Sequence, residues 1–455
     1  MRNFVSLVVV LFGAASSGAA QLDATGKSVT HLDLRHDQFV SQGTPYYRNG
    51  AAPETSSLGL TWRDSARWRG IGLGKVDLTD EYSSSESWNY LIVRDLYIER
   101  RVAGVQWSLG RRRERWSEWE STWRQGLFEP RSMINRLRNE PLGLTGLFTS
   151  GHLREWKWTV GALALHVPDS GAHFSIADNR FVSRNPWFRP PVASYQLGET
   201  VGQIRYSVKT PEILDVGLNP GLVGKVERGS SFGGSRLSVG YKPIPQFRLG
   251  FPSYNRVVVA SEEDFFAVEI NPRVQYHYVA STDFWRHWQG WDWTASVAYD
   301  RPEAQPADST WTTQTYSPTW AYALGTSKNT EVGRLRFGFL RLIGGDDRDQ
   351  GVFARDSRLF EGRFQYAEAW LAAWSVGPRS LWKRPFVGEV RLVWDRQQNG
   401  GAVELSAEYQ VNRRWRVFSE ADVLGLLPGA ARQTDGFFAL YRANDRVSAG
   451  MTYVF

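Results

Sequence analysis

RVSAGMTYVF, residues 446–455, is the stretch on which the fold turns. Read back from Phe455, every second residue is apolar: Phe455, Tyr453, Met451, Ala449 and Val447. Between them stand Val454, Thr452, Gly450, Ser448 and Arg446. Side chains alternate across a strand, so one face is apolar and the other mostly small or polar. Such a face packs on a protein core or on lipid, and the rest of the chain decides which.

The alternation recurs along the sequence with turns between the repeats. In WDWTASVAYD (291–300), Trp291, Trp293, Ala295, Val297 and Tyr299 oppose Asp292, Thr294, Ser296, Ala298 and Asp300. In 403–411, Val403, Leu405, Ala407, Tyr409 and Val411 oppose Glu404, Ser406, Glu408 and Gln410. Asn412-Arg413 then makes a short connection to a strand with Trp415, Val417 and Val423 on one face. Ile204, Tyr206 and Val208 read the same way, as do Leu237, Val239 and Tyr241. Around 359–376 the phase is lost, which points to a bulge or to a wall covered by a loop.

Composition selects lipid. The 455 residues include 21 Trp and are 14% aromatic, yet the mean hydropathy is −0.40. Alternating faces cancel in such an average, and aromatic girdles mark membrane interfaces. A sandwich of this size would show domain repeats, and a propeller a blade period of roughly 40–50 residues; the sequence has neither. Arg2, the apolar run Phe4–Phe12 and the small residues Gly13–Ala20 read as a secretory signal peptide over 1–20. There is no Cys, which removes disulfides and a lipidated cysteine. The expected fold is all-β: one outer-membrane antiparallel barrel over 21–455, of about 18 strands (range 16–20), with long extracellular loops partly folded into the lumen.

With the apolar faces toward lipid, the basic lumen residues are Arg205, Lys209, Arg236, Lys242, Arg273, Arg334, Arg336, Arg391, Arg414 and Arg416. Between 203 and 275 the inward charges are all basic; acids, among them Glu389, Asp395, Glu404, Glu408, Glu420 and Asp422, dominate from 389 to 422. One wall is thus expected to be positive, a field that would guide an anionic solute. The alternative is cross-strand pairing, with Glu404 or Glu408 neutralising Arg414 or Arg416.

Two long connections stand out. Residues 111–140 are too charged for lipid and too long for a tight turn. Trp116, Trp119 and Trp123, spaced 3 and 4 apart, share a helix face, and with Arg124 they are expected to form a constriction loop. They would either stack on sugar rings or pin the loop to the wall. NPWFRPP (185–191) predicts a stiff loop in which Trp187, Phe188 and Arg189 touch substrate or pack as a plug. The acidic GGDDRDQG (344–351) lacks calcium-loop spacing and reads as a solvated loop; no metal or cofactor is implied. No GxSxG or HExxH is present, so no enzyme is indicated.

The final stretch resembles the C-terminal signal of bacterial outer-membrane proteins, which implies that Tyr453 and Phe455 are read by the barrel-assembly machinery. LGRRRERWSEWESTWRQGLFEP (109–130) resembles a pattern of alginate-export porins and related polysaccharide-export barrels. Arg111-Arg112 stands where Arg-Gln is usual, and Glu129-Pro130 where Asn-Pro is common. The resemblance implies a Gram-negative outer-membrane channel exporting an anionic polysaccharide together with periplasmic export components. The competing expectation is a plugged barrel serving adhesion, motility or secretion. Lipid is the expected environment, and nucleic acid is not a partner.

Overall fold

The computed structural model describes residues 29–40, 54–68, 72–84, 86–191, 194–197, 200–252, 265–304, 311–345, 348–350, 363–381, 384–427 and 436–455. The signal peptide read at 1–20 lies outside these residues, as do Asp346, Asp347 and Gly351 of the 344–351 loop.

Eighteen strands build one closed sheet. They are β1 (Val29–Phe39), β2 (Glu54–Trp68), β3 (Gly72–Ser83), β4 (Trp88–Val102), β5 (Val105–Arg112) and β6 (Leu144–Leu153). The middle third comprises β7 (Trp156–Leu165), β8 (Gly221–Ser230), β9 (Gly233–Pro243), β10 (Tyr276–Trp288), β11 (Trp291–Pro302) and β12 (Thr319–Thr330). The last third comprises β13 (Gly333–Gly344), β14 (Glu368–Leu381), β15 (Arg384–Asp395), β16 (Gly400–Gln410), β17 (Trp415–Leu426) and β18 (Arg446–Val454). Each is antiparallel to the next, and β18 closes on β1 from His31↔Val454 to Phe39↔Arg446. Closure satisfies every ladder without an edge, the condition for strands to cross a bilayer.

The alternation sorts the two faces. Leu237, Phe284, Trp293, Leu324, Trp370, Leu392, Val423 and Met451 stand exposed on the outside. Ser238, Asp283, Ser296, Glu404, Asp422 and Ser448 are buried on the inside. Aromatic groups rim both ends. Tyr241–Tyr278 (4.7 Å between centroids) and Tyr299–Trp320 (4.5 Å) lie at one end, Trp415–Tyr453 (4.9 Å) and Tyr453–Phe455 (4.8 Å) at the other. The chain is an outer-membrane-type β-barrel.

The two ends differ. At one, hairpins are tight: Ala103-Gly104 (φ 50° and 83°) and Gln289-Gly290 (φ 50° and 75°) carry the paired positive φ of a two-residue turn whose twist matches its strands. At the β16–β17 turn, Asn412 Oδ1 accepts the amides of Arg414 and Trp415, both at 2.8 Å. Short turns mark the periplasmic side and the long connections the extracellular side. Among the described residues, three short helices lie in those connections: α1 (Glu118–Trp123), α2 (Ile213–Gly217) and α3 (Phe437–Tyr441).

The extracellular connections also build a second sheet, which the sequence reading did not foresee. Its order is Ser194–Leu197, Thr200–Val208, Phe265–Arg273, Arg248–Pro252, Trp311–Thr315 and Arg348–Gln350. Ile204 and Tyr206 therefore face a small cluster with Phe181, Val268 and Ile270, not lipid. Arg205, Lys209 and Arg273 accordingly belong to this sheet and its margin, not to the barrel wall. Period-two alternation states that one face is covered; it does not state by what. For the lost phase near 359–376, of which 359–362 lie outside the described residues, the covered wall is the explanation that the structure supports; the register shift falls just past the stretch. β14 starts at Glu368 and shifts register between Val376 and Arg379, and its inward Ala369, Leu371 and Ala373 are covered by interior segments.

Candidate functional site: the barrel interior

The β5–β6 connection runs through the bore. Trp116, Trp119 and Trp123 are all buried; α1 carries only Trp119 and Trp123, and Trp116 lies ahead of its N-cap, Ser117. Trp116 stacks on Phe128 (5.9 Å) and Trp123 meets Tyr366 edge-on (6.0 Å). One side of the segment bonds to β8–β10. Lys225 donates to Glu114 (2.7 Å), Ser238 Oγ to the Trp116 carbonyl (2.5 Å), and Ser117 Oγ and the Glu118 amide to Asp283 (both 3.0 Å). The other side bonds to β15–β17. Arg391 donates to the Thr122 carbonyl (3.2 Å), Arg124 to Glu404 (2.8 Å) and Arg138 to Asp422 (2.7 Å). These wall strands lie on nearly opposite sides of the ring, so the segment bridges the interior.

The segment is folded on itself as well. Buried Glu120 Oε1 accepts the Phe128 amide (2.9 Å), and Glu129 Oε1 accepts the Glu114 amide (2.7 Å). Arg131 donates to Asn139 (2.6 Å) and to the Glu120 carbonyl (3.2 Å). Two neighbours complete the filling. Trp187 packs on Phe437 and Tyr441 of α3, at 6.5 and 5.4 Å, and Asn444 donates to the Pro186 carbonyl (3.0 Å). NPWFRPP is thus a packing element at Trp187, and α3 is a plug element that no motif announced.

The acids of this filling are expensive to ionise. Burial pushes Glu120 up and Glu129 well above the usual carboxylate range, only partly offset by the amides they accept and by Arg131. In the β7–β8 connection Asp169, which accepts the Arg131 amide (2.7 Å), is pushed by burial up to about 6, against Arg131 and Lys242. A carboxyl raised in the folded state stabilises docking fully below its ordinary pKa and loses that contribution as pH rises through about 6. Asp169→Asn keeps the acceptor and removes the charge. The stability difference between wild type and this variant is expected to change by up to about 3 kcal/mol between pH 4 and pH 7. Urea titrations at both pH values measure it; a constant difference overturns it.

The predicted lumen bases are largely neutralised. Arg236 pairs with Glu227 (2.8 Å) and Asp283 (3.4 Å), Arg336 with Glu389 (2.8 Å), Arg391 with Glu404 (2.9 Å) and Arg416 with Glu408 (3.2 Å). Lys242 is buried and donates to the Pro243 carbonyl (3.1 Å). Arg334 donates to Ser327 Oγ (2.7 Å), and Arg414, in the β16–β17 turn, to the Tyr453 hydroxyl (3.2 Å). The all-basic wall of 203–275 does not form, because three of its members leave the barrel and Arg236 faces two carboxylates.

A different electropositive strip replaces it. Across β2, β3 and β4, ion pairs bury the carboxylate and leave the cation open: Arg63 is 56% exposed against 5% for Asp77, and Lys75 is 40% against 0% for Asp95. Arg113 of the interior segment joins both acids, at 2.6 Å, and keeps 29% exposure. Nothing in the order of residues shows which member of a pair faces the open space, so sequence reasoning missed this strip.

No protein-family model and no curated protein matches the chain. Similar solved structures include Pseudomonas aeruginosa OccK11 (OpdR), at 8% identity, covering 95% of this chain and 97% of that one, with a TM-score of 0.48. Pseudomonas aeruginosa OccK2 (OpdF) in complex with glucuronate is similar at 10% identity, 95% and 99% coverage and 0.48. A BenF-like porin from Pseudomonas fluorescens Pf-5 gives 8%, 96% and 99%, and 0.47.

Proposed function

We propose that this barrel is an outer-membrane channel for small polar solutes that favours anions, with a bore limited by residues 113–139. The supporting observation is the exposure asymmetry along Arg63, Lys75 and Arg113, where each cation stands toward open space with its carboxylate behind it. At these three cations a solute carboxylate meets guanidinium and ammonium groups before Asp77 and Asp95 behind them. In planar bilayers under a salt gradient, the wild type is expected to favour anions. Arg63→Glu with Lys75→Glu should lower that preference several-fold or reverse it. A cation-selective wild type overturns the proposal.

The sequence favoured saccharide export and left the Trp side chains either to stack on sugar rings or to pin the loop to the wall. Trp116, Trp119 and Trp123 are at most 2% exposed, so they offer no stacking face in this state. Export of an anionic polysaccharide, with periplasmic export components as partners, would first require displacement of the interior segment. The narrower reading is therefore a small anionic solute. A second reading, a plugged interaction barrel, draws support from the apolar cluster of Trp119, Phe128, Leu137, Tyr366 and Phe438 inside the bore. We assign Tyr453 and Phe455 the role of the assembly signal; substitution of both by Ser should reduce the level of barrel in the outer membrane.

A further inference from the structure

α2 turns its apolar residues away from the protein. Ile213 is 87% exposed and Leu214 64%; Leu218, just past the helix, is 59% exposed. At about 100° per residue these three share one arc, while Glu212 and Asp215 lie opposite. The segment is held firmly to the barrel. The Gly217 carbonyl accepts the His166 amide (2.9 Å), and Asn219 Oδ1 accepts the Tyr276 hydroxyl (3.4 Å). Tyr276 stacks on Tyr241 (5.2 Å), which meets Tyr278.

Next to this segment the outside of β8–β11 is concave. Gly224 and Ala280 leave a shallow floor, and Leu222, Tyr241, Tyr278 and Tyr299 wall it. Leu222, four residues beyond Leu218, is itself 60% exposed and belongs to the lipid-facing band. The exposed apolar arc of α2 is therefore continuous with the surface that meets hydrocarbon. An amphipathic segment with acids on one side and aliphatics on the other settles at a bilayer interface.

We infer that α2 and this groove form a docking site for the acyl chain of an outer-leaflet lipid. The helix rests its aliphatic arc among the acyl chains, and Glu212 and Asp215 face water. The groove has no charged floor, so chain shape and apolar contact are what it recognises.

The absence of Cys makes the test clean. A single Leu214→Cys, spin-labelled on the full-length barrel in phosphatidylcholine vesicles, is read by collision with oxygen and with a water-soluble nickel chelate. Leu237→Cys serves as the lipid reference and Lys209→Cys as the water reference. Strand content by circular dichroism checks folding. The expected result is oxygen access close to that of the Leu237 label, with nickel access well below that of the Lys209 label. A nickel-accessible label overturns the inference. So does a label shielded from both reagents with dipolar broadening, which would mean that a second copy covers the site.

Discussion

Excision of residues 116–137, with a short Gly/Ser bridge, will raise single-channel conductance on the order of tenfold, as expected when a filled bore of this strand number becomes aqueous. The segment contributes no rung to the barrel, since β5 pairs directly with β6 and β4. The wall should therefore persist without it. Asp283, Glu404 and Asp422 would lose partners from the segment but gain water, so their charges would be solvated rather than stranded. An unchanged conductance in a folded variant would show that the segment does not limit the path and would send attention to α3 and Trp187.

Asp422→Ala is expected to destabilise the protein by about 3–5 kcal/mol, the range for breaking a buried ion pair from one side. Asp422 is fully buried and receives two guanidiniums, Arg138 at 2.7 Å and Arg446 at 2.6 Å. Arg446 keeps Asp37 (2.9 Å) and Glu420 (2.8 Å), whereas Arg138 keeps only the Leu405 carbonyl (2.8 Å) and a longer approach to Glu420 (3.6 Å). Most of the loss should therefore fall on the docking of the interior segment. The double variant with Arg138→Ala should lose less than the sum of the singles, because no stranded charge remains. Urea titration of the refolded protein reads this; additive losses would show that the Arg138–Asp422 contact contributes nothing of its own.

The strands were legible because lipid imposes a strict rule on them. Trp293 and Val297 must face out and Ser296 and Asp300 in, and that alternation can be read without a structure. The same logic placed Trp119 and Trp123 on one covered face of α1, although Trp116 precedes the helix. It failed at Ile204 and Tyr206, where another sheet covers the apolar side. It failed again at Lys75 and Asp95, where the relative depth of two charges depends on a bulge in β3–β4 and on Arg113 arriving from a distant loop. α3 went unread because FFALY (437–441) is too short to show a period.

The ring has a seam. Seventeen of its joints link strands that follow one another around the wall, but the joint between β1 and β18 brings His31 to Val454. Loop-closure entropy makes this the slowest pairing to find, and until it forms both strands keep a bare hydrogen-bonding edge. Side chains clasp this joint. Arg446 of β18 reaches Asp37 of β1 (2.9 Å), and Arg35 of β1 reaches Ser448 (3.1 Å) and Glu420 across it. Burying those charges is possible only after the circle is complete, so the clasp acts late, as a latch on a finished ring and not as a guide to making it.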